Sequence, residues 1–184
     1  MLIAFHPGEL ELRSEGGTTR LRASFPYGAE TELAAGRREV FAPHAFAASI
    51  AGSHDVHFLS AHDFAKPLAS RAAGTMQLRS TDAALEIEAT IEAGTTWARD
   101  FLAAHAQGLV RGVSPGFTVS PGGERIERRG SGVLRTVTAA HLIELSAVTK
   151  PAYPQATIEA RNWQPAENCS QRERFSRALA RWRP

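Results

Sequence analysis

The chain has 184 residues, 43% of them hydrophobic and 22% charged, with a formal net charge of +2 and a single cysteine, Cys169. That size and balance suit one soluble domain with a buried core, and they exclude a disulfide scaffold or a cysteine-based zinc site. The charge is uneven: residues 170–184 carry five arginines against Glu173, a net of +4, so residues 1–169 sum to −2 and lack the basic surface of a nucleic-acid binder. The opening residues Met1 to Pro7 have neither the basic start nor the apolar length of a signal peptide, and no apolar run reaches the length of a membrane span. A cytosolic protein with no membrane partner and no specific nucleic-acid partner is expected.

In chain order, residues 9–13 and 18–25 alternate as short strands around the Ser14-Glu15-Gly16-Gly17 turn. Glu39 to Pro43 reads as a strand end, and His44 to Ala51 as a short helix with Pro43 at its start and Gly52 at its stop. Asp55 to Ala61 reads as a strand that delivers His62 to its end. Gly74 to Arg79 and Ala84 to Ile91 form a hairpin across residues 80–82. Thr95 or Thr96 caps a helix from Trp97 to Gln107, with Trp97, Phe101 and Ala104 on one face and Gly108 beyond the end. Leu109 to Ser120 reads as a strand, Pro121 to Gly123 as a turn, and Glu124 to Arg129 as a return strand. Val133 to Val148 is long enough for one bent strand or two consecutive ones. Residues 151–165 become irregular, and Phe175, Leu179 and Trp182 suggest a short basic helix at the end. The sum is about eight strands and two or three short helices, linked by turns instead of helical crossovers. That predicts a mainly β (α+β) fold, a largely antiparallel barrel or sandwich with peripheral helices, over residues 1–160, followed by a basic tail at 161–184.

Three places carry chemistry. Gly112-Val113-Ser114-Pro115-Gly116 matches the G-x-S-x-G pattern of α/β-hydrolases, but that elbow needs a helix after the serine and a backbone N–H on the next residue. Strand-like residues follow here, Pro115 has no N–H, and no alternating β–α pattern is present. His62 at a strand end is a candidate base, and adjacent Asp63 points to the opposite face of a strand. Glu144 sits in Leu142-Ile143-Glu144-Leu145-Ser146, where strict alternation puts Leu142, Glu144 and Ser146 on one face; a carboxylate in such a setting must be paired. Ordinary structural hydrogen bonds would also explain each residue taken singly. His141 is a competing third member or metal ligand. No metal-ligand spacing and no phosphate or dinucleotide loop occurs, so neither metal nor cofactor is expected.

Four segments together resemble the prohead, or capsid-maturation, proteases of tailed bacteriophages, a family related to the herpesvirus assemblin proteases. Glu39-Val40-Phe41-Ala42-Pro43-His44-Ala45-Phe46 is similar to a family block with glycine at the place of His44. Val56 to Asp63 is similar to the block of the catalytic histidine, where asparagine commonly stands at the place of Ala61. Val110 to Phe117 and Leu142 to Ala152 are similar to the nucleophile block and to the L-x-E-x-S-x-V block near the domain end. The resemblance implies a herpesvirus-protease-like barrel and a serine endopeptidase. It implies Ser114 as nucleophile, His62 as base and Glu144 as third member, with His141 as the alternative because the assemblin relatives use a second histidine there. Arg111, Gly112 and Gly116 are the expected oxyanion-hole region. The implied partners are the major capsid protein or scaffold and the chain itself, with self-association, inside a procapsid assembling in the bacterial cytoplasm. The rival class is a non-enzymatic virion assembly protein with the same fold.

Overall fold

The computed structural model describes residues 10–15 and 18–149. The irregular segment, the terminal helix and the basic tail expected beyond residue 150, and the domain boundary drawn near 160, lie outside the described residues. Twelve strands and two helices follow one another: β1 (Leu10–Glu15), β2 (Thr18–Pro26), β3 (Thr31–Ala34), β4 (Arg37–Phe41), α1 (Ala47–Ala51), β5 (His57–Ser60), β6 (Asp63–Ser70), β7 (Met76–Ser80), β8 (Ala84–Glu92), α2 (Thr96–Ala106), β9 (Gly112–Val119), β10 (Glu124–Arg129), β11 (Gly132–Val137) and β12 (Ala140–Val148). The fold is mainly β with few helices. Its strands form three four-stranded sheets, ordered β1-β2-β8-β7, β10-β11-β4-β3 and β6-β5-β12-β9, and their ladders close no barrel among the described residues.

The first sheet follows directly from alternation. Leu21 and Ala23 on β2, with Leu85, Ile87, Ala89 and Ile91 on β8, point inward, while Arg22 and Glu88 pair outside. An aromatic cluster joins the sheets: Phe41 of β4 lies 5.1 Å from Phe25 of β2 and 5.0 Å from Phe117 of β9, with Phe46 stacked on Phe41 at 5.3 Å. Each ring comes from a different element, so one core serves all three sheets.

Several expectations need correction. The helix expected from His44 begins only at Ala47, because His44 adopts φ +61°, which no α-helix admits. Pro43 therefore belongs to a turn. Strand β3, four residues long, is too short to have been read, and β6 carries too little alternation. Glu124 to Arg129 does not return against β9; it pairs with β11 in another sheet. The largely antiparallel pattern holds, but β4 with β11 and β5 with β12 are parallel, each pair joined across about half of the chain.

In the second sheet Arg135 is only 3% exposed, and its guanidinium bonds Glu39 at 2.9 Å and Glu124 at 2.6 Å. A buried carboxylate deprived of its guanidinium is a large penalty. Arg135→Ala should cost about 3–5 kcal/mol of unfolding free energy in a urea titration. A loss below about 1 kcal/mol would show that Glu39 is satisfied without Arg135.

Candidate active site

Strand β9 continues straight through Ser114 to Val119, with no helix behind the serine, so the hydrolase-elbow geometry is absent. Strand β9 lies at the edge of its sheet, where a ladder can do without the N–H of Pro115. Val113 and Phe117 belong to the core, so Gly112, Ser114 and Gly116 alternate onto the opposite face.

The partner strand β12 reaches the same face by breaking its own alternation. Leu142 pairs with Phe117 and Glu144 with the very next residue, Gly116, so Ile143 is a β-bulge. Leu142 and Leu145 therefore both face the core, whereas Glu144 and Ser146 turn to the side of Ser114. Strict alternation places Leu142 on the side of Glu144; the bulge separates them. In register Ser146 is the direct partner of Ser114, and Glu144 that of Gly116. Gly116 has a steric duty, since a Cβ there would fall inside the Glu144 carboxyl group.

His62 arrives from the two-residue turn between β5 and β6. Ala61 at φ +55° and His62 at φ +61° both occupy the left-handed region, as a tight hairpin turn of this length requires. The turn is tied to the end of β12, Ala61 N–H to the Ala147 carbonyl at 3.0 Å and His62 N–H to Ser146 Oγ at 3.0 Å. His62 Nδ1 lies 2.8 Å from Glu144 Oε1. Glu144 is 4% exposed, and its other oxygen accepts the hydroxyl of fully buried Ser146 at 2.5 Å. A carboxylate beside Nδ1 places the ring proton there and leaves Nε2 as the basic nitrogen.

His141 stands elsewhere. It is exposed on β12 before the bulge, with its ring 4.2 Å from that of His54. Asp63 bonds Lys66 at 3.1 Å and the Ala65 N–H at 2.9 Å. Gly112 is buried at the start of β9, and the guanidinium of exposed Arg111 covers Gly108. Ser146 escaped sequence reading as a member of the cluster, although its two-residue spacing from Glu144 was the available signal. Among the described residues no group of three His, Cys, Asp or Glu side chains could hold a metal ion, and no helix is long and apolar enough to cross a membrane.

The left-handed turn carries a stability prediction. Alanine in that region costs about 1–2 kcal/mol, and glycine largely avoids it. Ala61→Gly should raise the thermal midpoint by about 2–4 °C, the shift expected for about 1 kcal/mol in a domain of this size. A lowered midpoint would mean that the turn gains more from the alanine than its backbone loses.

The chain matches the model of the caudovirus prohead serine protease family over residues 9–170. No curated protein and no solved structure matches it. The match covers most of the sequence, from β1 through the whole of β12. The chain belongs to the caudovirus prohead serine protease family.

Proposed function

We propose that the chain is an active serine endopeptidase of a phage-type procapsid, with Ser114, His62 and Glu144 as its catalytic residues. The observation that carries this reading is the 2.8 Å contact of His62 Nδ1 with a buried Glu144 carboxylate on the sheet face that also bears Ser114. Ser114 Oγ attacks the scissile carbonyl while His62 Nε2 takes its proton, and the imidazolium then protonates the leaving amine. Glu144 fixes the tautomer and stabilises the positive ring without taking the proton. Ser146 holds Glu144 and the His62 backbone together. Backbone N–H groups from the Arg111–Gly112 stretch or from Gly116 hold the oxyanion, because Pro115 has none to give.

The substrates in this proposal are scaffold, or a scaffold-like segment of the major capsid protein, and the chain itself. Cleavage takes place inside the procapsid in the host cytoplasm, as capsid maturation in this family implies. A barrel relationship to the herpesvirus assemblin proteases is part of the same proposal. Co-expression with the major capsid protein of the same particle, followed by intact mass spectrometry, tests it. Truncated capsid protein at one defined bond is the expected result. Capsid and scaffold protein that both stay full length beside the intact chain would favour a purely structural assembly role.

A further inference from the structure

The bulge at Ile143 decides where Glu144 points, so what holds the bulge matters to the site. Strand β5 joins β12 only from Glu144 onward, pairing Glu144 with His57, and leaves the preceding residue of β12 beyond its reach. At Leu142 two side chains stand in for a strand. Ser49 Oγ, from α1, accepts the Leu142 N–H at 2.8 Å, and His54 Nε2 lies 3.0 Å from the Leu142 carbonyl oxygen. A carbonyl only accepts, so Nε2 carries the proton in that bond. The same nitrogen lies 3.3 Å from Ser49 Oγ, which links the two side chains into one clamp. Ser49 is 7% exposed, and Gly52 passes close beneath the His54 ring.

We infer that Ser49 and His54 are positioning residues that fix the Leu142 peptide, and through the bulge aim Glu144 at His62; this rests on the reading of Glu144 as the orienting acid. Both peptide groups of Leu142 are gripped by these two side chains while its own side chain is buried in the core. The residue is held from two directions, so the break in alternation is fixed at Ile143 and cannot migrate along the strand. Without the clamp, regular alternation would carry Glu144 toward Leu145 and Phe117, where a carboxylate has no partner chemistry. The strand would instead loosen around the bulge, and the carboxylate would lose its fixed aim.

The test uses the full-length chain, a fluorophosphonate probe that phosphonylates the activated serine, and the downfield proton signal of the His62 Nδ1–H. His54→Leu should slow Ser114 labelling by about 10²-fold, the scale of a 1 Å misplacement, and broaden or abolish the His62 signal. His54→Gln keeps an N–H donor at similar reach and should restore labelling to within about fivefold, a difference below about 1 kcal/mol. Ser49→Ala removes one oxygen and tests the other end of the same peptide if His54→Leu folds poorly. In a Glu144→Gln background His54→Leu should add nothing, because residues acting as one unit are not additive. Full labelling and an unchanged His62 signal in both His54→Leu and Ser49→Ala, while Glu144→Gln alone is inactive, would overturn this inference and leave the catalytic assignment standing. A fully active Glu144→Gln chain would overturn both.

Discussion

Ser114→Ala should leave the capsid substrate uncut, with the cleavage rate reduced by about 10⁶-fold. Loss of the nucleophile leaves only what substrate binding and oxyanion donors supply, about 10³–10⁴ over the uncatalysed reaction. One other hydroxyl lies close by, that of Ser146, directly across the ladder. It is no substitute: Ser146 is fully buried, donates its proton to Glu144 and accepts the His62 backbone N–H. The variant should fold normally, because Ser114 lies on a half-buried edge strand and loses a single oxygen. Intact mass spectrometry of co-expressed substrate, with a thermal melt as the control for folding, checks both halves. Cleavage within tenfold of the unaltered chain would move the nucleophile elsewhere.

Gly116→Ala should also damage activity severely, although it removes no side-chain group that takes part in the reaction. The added methyl group would occupy the space of the Glu144 carboxyl end. That end is movable in principle, but one oxygen is bonded to His62 and the other to Ser146. Displacing it breaks both bonds and leaves the imidazole without its orienting acid. The loss should approach that of Glu144→Gln, about 10⁴-fold in kcat by analogy with the loss of the orienting carboxylate in serine proteases. The cost in stability should stay near the 1–3 kcal/mol of ordinary overpacking, since the flexible carboxyl yields before the backbone does. Activity would therefore fall far more than the melting temperature. If Gly116→Ala keeps a tenth or more of its activity, Glu144 has another way to reach His62.

How much of this was legible in the sequence depended on whether local pattern or long-range pairing decided the outcome. Strands β2, β7 and β8, and helix α2 with its Thr95 cap, follow from alternation, turns and capping, which act over a few residues. Strand β6 contains Pro67 and exposes four successive residues from Phe64 to Pro67, so it carries no period to read. Sheet membership was not legible either, because β10 and the parallel pairs find their partners across remote stretches of chain. The pairing of His62 with Glu144 was legible as an expectation from motif order. The reason for it was not, since a bulge shifts alternation by one residue and leaves no mark on composition. His44 and Ala61 show the reverse. The family pattern that these segments resemble has glycine at the place of His44 and commonly asparagine at that of Ala61, and both residue types tolerate the left-handed backbone found there. The substitution was visible, but its meaning needed the φ angles.

The position of β12 sets an order of events during synthesis. It is the last described strand, and it inserts between β9, made shortly before it, and β5, made much earlier. His62 and Glu144 are 82 residues apart in sequence, so their meeting waits on a long loop closure. Before β12 leaves the ribosome, the chain has a serine and a histidine but neither the strand that aligns them nor the acid. On the assignment proposed here, a growing chain has no proteolytic activity, and a ribosome stalled before residue 140 releases a harmless fragment. On the same assignment, activity waits for the last described strand, whatever order the other strands form in.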